Sequence, residues 1–119
     1  MHEMRLTLGY PPSVNTYWRS VAGRVLISRK GREYRIGCLA RVLMPPQSFG
    51  KARLKVTIGC WMPDNRRRDL DNLPKAILDA LQHAKMYVDD SQIDDLRIWR
   101  IGLDRQDPRV EIEISEIGS

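Results

Sequence analysis

Hydrophobic residues recur along this chain with two different periods, and the switches between them mark out its elements. Met4, Leu6 and Leu8 alternate with Arg5 and Thr7, which predicts a short opening strand stopped by Pro11 and Pro12. Residues 11–19, which include Asn15, Tyr17 and Trp18, read as a loop. Ser28 suits a helix N-cap, and Ile36, Leu39, Ala40 and Leu43 follow at i, i+3, i+4 and i+7, predicting a helix to about Met44. Gly37 weakens that helix, its arginines are not confined to one face, and Pro45 and Pro46 end it. Leu54, Val56, Ile58 and Cys60 return to period two, a half-buried strand closed by Pro63. Leu73, Ala76, Ile77, Ala80, Leu81 and Ala84 then form the clearest amphipathic helix, with Pro74 tolerated in its first turn. A loop over residues 85–92 leads to strands near 95–101 and 109–117. In the second, Val110, Ile112 and Ile114 alternate with Glu111, Glu113 and Ser115, and Asp107 with Pro108 supplies the turn of an expected terminal hairpin.

The order strand, helix, strand, helix, strand, strand predicts a single two-layer α/β (α+β) domain over residues 1–119, a mixed sheet with helices packed on one side. A length of 119 residues suits one core, and 42% hydrophobic with 29% charged residues is ordinary for a folded chain. No apolar run is long enough to span a bilayer and no basic leader precedes an apolar stretch, which places the protein in the cytoplasm with no membrane partner. Cys38 and Cys60 are too few and too far apart for a disulfide framework or a zinc ribbon, and are expected to be reduced and packed. His2 and His83 suggest neither a metal site nor a catalytic triad.

Charge changes the picture more than composition does. The net charge is +5, and residues 1–60 hold eleven basic side chains against two acids, a local +9, while the remainder sums to −4. Eight of the fifteen acids lie between residues 64 and 95, every one an aspartate. A basic protein with one aspartate-rich region has what a cation-dependent phosphodiester-cutting enzyme needs: a field that attracts the backbone and an acidic pocket for the metal. Solvated loops also collect aspartate, because it suits turns and caps.

Asp69 and Asp71 stand two apart between a strand exit and a helix start, and in extended backbone both carboxylates project to one side and can face one hard cation. Lys75, four residues beyond Asp71, would share a helix face with it and bring an ammonium to the acidic pocket. Arg66, Arg67 and Arg68 just upstream suit phosphates on either side of a scissile bond. The same residues also suit an N-cap and a solvated turn. A second pair, Asp89 and Asp90, follows the helix and would complete the set if its loop folds back toward the first. Asp79, expected to pair with His83, and Asp94 and Asp95, expected at an exposed strand start, fall outside the site. No Ser–His or Cys–His pairing and no glycine-rich phosphate loop competes with metal-assisted hydrolysis.

These residues resemble the RusA-type Holliday junction endonucleases of lambdoid prophages and related phages and bacteria. The resemblance runs through Tyr10-Pro11-Pro12-Ser13-Val14-Asn15-Thr16-Tyr17-Trp18-Arg19, Gly31-Arg32-Glu33-Tyr34-Arg35, Met62-Pro63-Asp64, Arg67-Arg68-Asp69-Leu70-Asp71-Asn72-Leu73-Pro74-Lys75 and Val88-Asp89-Asp90-Ser91-Gln92-Ile93. It implies a homodimer that binds four-way junction DNA and makes paired symmetric nicks beside a preferred CC dinucleotide. The cofactor it implies is Mg2+, which Mn2+ can replace, with no organic cofactor. By the same likeness Asp69, Asp71 and Asp90 are metal-binding catalytic carboxylates, Lys75 assists catalysis and Arg68 helps hold DNA. Asn65 stands where relatives often carry another basic residue, and Lys85 where a glycine would end the helix with positive φ.

Three functions follow from this reading. The first is a metal-dependent, structure-selective DNA endonuclease of recombination and repair. The second is a non-catalytic basic nucleic-acid-binding protein whose aspartates are caps and turns. The third, a nuclease for flaps or RNA, shares the metal chemistry of the first. Tyr17 and Trp18 suit stacking on unpaired bases and suit core burial equally well.

Overall fold

The computed structural model describes residues 3–42, 49–66 and 69–117. The first alternation forms β1 (Glu3–Gly9). The segment predicted as a loop folds instead into a one-turn helix, α1 (Val14–Tyr17), and a hairpin of β2 (Trp18–Val21) with β3 (Arg24–Ile27). The hairpin's turn residues Ala22 and Gly23 have φ of 51° and 77°, the left-handed pair that a two-residue turn between twisted strands requires. Its strands bury almost nothing, Val25 being 70% exposed, so no apolar alternation announces them.

Ser28 does cap the next helix, α2 (Arg29–Val42), its Oγ accepting from Gly31 N–H at 3.0 Å. The expected end near Met44, with Leu43 and the turn at 47–51 up to residue 48, lies outside the described residues. The face of α2 is not the expected one. Ile36 and Leu39 are exposed, and the helix buries Gly31, Cys38 and Val42, with Tyr34 and Arg35 half-buried beside them. Close approach decides this choice: a Cβ on Gly31 would meet Tyr17 O at 2.5 Å and Ile27 Cγ1 at 2.7 Å, so only glycine lets α2 seat against α1 and β3.

The second half follows the periodicity closely. Strand β4 (Leu54–Met62) buries Leu54, Val56, Ile58, Cys60 and Met62. After a 3-10 turn at Leu70–Asn72, α3 (Pro74–His83) buries the whole predicted stripe from Leu73 to Ala84, with Pro74 in its first turn. A second 3-10 turn at Asp90–Gln92 leads into β5 (Ile93–Leu103), and β6 (Arg109–Glu116) buries Val110, Ile112 and Ile114. The sheet order is β1-β6-β4-β5, with β4 and β5 parallel and the other pairs antiparallel. The expected hairpin of the last two strands is therefore absent: β4 lies between them. Asp104 holds the connection that steps over the end of β4, its backbone N–H bonding Met62 O at 2.8 Å and its carboxylate taking Gln106 N–H, Asp107 N–H and the Arg109 guanidinium.

One mixed sheet with the helices over its inner face is the predicted α+β architecture. The inner residues of β4 and β6 join α2 and α3 in one apolar cluster. Cys38 and Cys60 lie in it as free thiols, their pKa values pushed up by burial to about 12 and about 11. The outer face stays open, and β5 is an edge strand on which Leu96, Trp99, Ile101 and Leu103 are 39–46% exposed.

Helix α3 ends in a Schellman arrangement: Lys85 N–H bonds Gln82 O at 2.9 Å and Met86 N–H bonds Leu81 O at 3.1 Å. Lys85 holds a φ of 64° there despite its Cβ, so the path that a glycine would open is kept. Replacing Lys85 by glycine is expected to raise stability by about 1 kcal/mol. Urea unfolding checks this, and a lower midpoint for the variant would mean that the left-handed residue carries no strain.

Candidate active site

Every candidate residue lies on the crossover that joins β4 to β5. In its first turn Leu70 packs on the core and Leu73 is buried, which leaves Asp69, Asp71 and Asn72 pointing outward and exposed. The two aspartates are not on one extended strand, as their spacing suggested. Asp69 is extended at φ −82° and ψ 123°, whereas Asp71 lies inside the 3-10 turn closed by Asn72 N–H to Asp69 O at 3.2 Å. Neither serves as a cap. Asp69 occupies the N-cap position of the turn without a side-chain hydrogen bond, and Leu73 holds the N-cap position of α3.

Lys75 follows as an exposed residue in the first turn of α3, its Nζ 5.9 Å from the centroid of the Trp18 ring. Arg66 is exposed, with its backbone N–H on Asp64 Oδ1 at 3.0 Å. Arg67 and Arg68 lie outside the described residues.

The second aspartate pair sits at the other end of α3. Asp89 caps the second 3-10 turn, accepting from Ser91 N–H at 3.0 Å, and hydrogen bonds from Ser91 hold its carboxyl below the usual range. Gln92 is the anchor of this loop. Its buried amide accepts from Val88 and Asp89 N–H and donates to Gly50 O and Ala52 O, all at 2.8 Å. Asp90 N–H reaches back to Gln82 Oε1 at 3.0 Å, and the Asp90 carboxylate stays exposed.

The aspartates of residues 64–95 thus divide by partner. Asp64 accepts from Arg66, Asp79 from Arg35 and Tyr17, Asp89 from Ser91, Asp94 from Arg53 and Asp95 from Arg97. Among the described residues, the carboxylates of Asp69, Asp71 and Asp90 have no such partner. These three do not meet within one chain. The ten residues of α3, about 15 Å long, separate the turn that carries Asp71 from the loop that carries Asp90, and no three Asp, Glu, His or Cys side chains among the described residues converge on a point.

Asp79 faces away from His83 and toward the N-terminal segment. Arg35 grips its carboxylate at 2.8 and 3.1 Å, and the Tyr17 hydroxyl donates to the same group. Burial and the Asp79 carboxylate raise the Tyr17 pKa above its ordinary value, so the phenol stays a donor. Tyr17 is fully buried, which settles its role as structural, and it carries Trp18 beside it, ring centroids 4.9 Å apart and edge to face. Packing and cations hold Trp18, since its Nε1 finds no hydrogen-bond partner among the described residues. Nothing in the local pattern marks Trp18 as a neighbour of Lys75; the contact is made across 57 residues of sequence.

Where the chain leaves β4, Asp64, Arg66, Arg100 and Gly102 line an open cleft of about 410 Å³. The crossover therefore offers two carboxylates without a partner among the described residues, a lysine and arginine side chains at one end of the β4–β5 pair, and a third such carboxylate at the opposite end.

Known proteins are similar to this sequence over its whole length. The family model described as endodeoxyribonuclease RusA matches residues 9–115. A crossover junction endodeoxyribonuclease of Enterobacteria phage HK97 is 43% identical over 121 residues, covering 100% of this chain and 99% of its own. The proteins of the same name from Shigella sonnei and Escherichia coli K12 are 40% and 39% identical over 120 residues, with the same coverage. The chain belongs to the RusA family of endodeoxyribonucleases.

Gln92→Ala is expected to cost about 3 kcal/mol of stability, because it strips partners from backbone groups on both the Asp89–Asp90 loop and the 50–52 segment. Gln92→Glu, which sets a buried carboxylate oxygen against the Gly50 and Ala52 carbonyls, is expected to lose at least as much in a urea titration at neutral pH and to regain part of it at low pH, where the protonated carboxyl is again a donor. Parental stability for both variants would contradict an anchoring role.

Proposed function

We propose that this protein is a Mg2+-dependent, structure-selective endodeoxyribonuclease that works as a homodimer on four-way DNA junctions and resolves them by paired symmetric nicks, in recombination and repair. The observation that carries the reading is the division among the aspartates: five of the eight between residues 64 and 95 are engaged, and Asp69, Asp71 and Asp90 are exposed and unpartnered among the described residues. Free carboxylates of this kind suit a hard cation, which takes oxygen ligands. Held by these three side chains, Mg2+, or Mn2+ in its place, supplies Lewis acidity and charge neutralisation for phosphodiester hydrolysis. The chain's own cations do the remaining work. Arg66, Arg67 and Arg68 grip the backbone, and Lys75 stabilises charge on a phosphate oxygen. The junction substrate is supported by the names of the relatives, which act on crossover junctions.

The separation of the carboxylates within one chain supports the dimer. Strand β5 begins just after Asp90, and the Leu70–Asn72 turn packs against β5. Its outer edge has no strand partner among the described residues, and the strand exposes Leu96, Trp99, Ile101 and Leu103 between its charged side chains, a combination that soluble proteins normally cover. Antiparallel pairing of two β5 strands about a two-fold axis carries Asp90 of each protomer toward the other's Asp69 and Asp71. Two equivalent sites result, matching the two-fold symmetry of a junction.

Nicking of an end-labelled immobile junction, beside a linear duplex of the same sequence, tests the reading. Symmetric nicks confined to the junction are expected with Mg2+ and none with EDTA. Asp71→Asn is expected to lower cleavage about a hundredfold or more while gel-shift binding of the junction survives. Intact DNA under every condition, with the shift retained, would leave a binding protein in place of the enzyme.

A further inference from the structure

The β2–β3 hairpin forms a cleft with the start of α3. Asn15, Trp18, Arg19 and Val25 line it, with Lys75, around a volume of about 660 Å³, inside the range of sites that receive small molecules. Trp18 is fixed in this cleft by the braced Tyr17 beside it, so its ring is a preset platform. Cations stand over that ring, Lys75 Nζ at 5.9 Å and the Arg35 guanidinium at 6.0 Å from its centroid. Asn15 is exposed, and no described residue takes up its amide, which offers a paired donor and acceptor. Lys75 is the shared wall: the same residue stands four positions beyond Asp71, so the cleft adjoins the carboxylates of the proposed reaction site.

An aromatic ring with cations over it and a free amide beside it matches an unstacked nucleobase with its phosphates better than it matches duplex DNA, whose bases show no face; stacking there requires the exposed Lys75 side chain to leave the ring for a phosphate. We propose that this cleft receives a nucleobase next to the scissile phosphodiester: Trp18 stacks on it, Asn15 reads its edge, and Arg19 with Lys75 holds the flanking phosphates. The proposal rests on the nuclease reading above and adds the group bound and the residues that select it. Stacking tolerates every base, whereas an amide discriminates among donor and acceptor patterns, so selection falls to Asn15.

Single-turnover cleavage in Mg2+ tests this, using a normal junction and junctions carrying an abasic site one nucleotide to either side of the cleaved bond. Trp18→Ala is expected to slow cleavage of the normal junction about tenfold or more, and to add nothing on the abasic junction that already lacks the stacked base. Trp18→Phe, which keeps a ring, is expected to recover most of the rate. Asn15→Ala is expected to level the rates among junctions with each of the four bases at that position, a readout independent of how the Trp18 variants fold. Equal slowing by Trp18→Ala on normal and both abasic junctions, or an unchanged base preference in Asn15→Ala, overturns the pocket while the nuclease reading stands. A parental protein that nicks no junction overturns both.

Discussion

Two parallel strands cannot be joined by a tight turn, and the rest of this molecule follows from that constraint. The chain must leave β4 at one end of the strands and return to the start of β5 at the other end, with α3 as the connecting rod. Carboxylates placed at the two ends of the crossover are therefore held apart. Asp69 and Asp71 stand at the exit and Asp90 at the return, with the roughly 15 Å length of α3 between them. A helix buried along its whole apolar stripe cannot bend to close that distance. In the proposed dimer the same rigidity becomes useful, because each rigid end meets the opposite end of a second copy.

The rod is braced at two points, at its return and along its body, by polar groups that are fully engaged. At the return, the Gln92 amide ties the Asp89–Asp90 loop to the segment before β4 with four hydrogen bonds. On the body of α3, Asp79 receives Arg35 from α2 and Tyr17 from α1, which seats the N-terminal segment and sets Trp18 near Lys75. Buried or half-buried polar groups of this kind are costly when unpaired, so the pairing specifies one arrangement. The residues left over, Asp69, Asp71 and Asp90, are the ones exposed to solvent at the ends.

How much of this was legible depended on the range of the information. Period two in β4 and β6 and period 3.6 in α3 are local, and those elements bury the residues the pattern selected. The α2 stripe misled, because Gly31 against Tyr17 and the pairing of Arg35 with Asp79 outweigh the apolar pull of Ile36 and Leu39. The exposed hairpin β2–β3 carries no burial pattern at all, and the insertion of β4 between the last two strands is a matter of topology that no local window contains. The Asp-x-Asp and Asp-Asp motifs were visible as spacing. Their placement at opposite ends of the strands was not, since it depends on β5 running parallel to β4.

The claim on which the proposed function turns is that each site closes between two protomers. Mixing Asp71→Asn protein with Asp90→Asn protein tests it directly, by assaying the mixture for junction nicking after subunit exchange. Each variant alone spoils both of its sites, but a mixed dimer holds one site with an intact Asp69 and Asp71 from one protomer and an intact Asp90 from the other. Recovery of nicking in the mixture, one strand per junction, is the expected result. A mixture as inactive as either variant alone, with exchange verified by differently tagged chains, would contradict the shared site and place all three carboxylates back on a single chain.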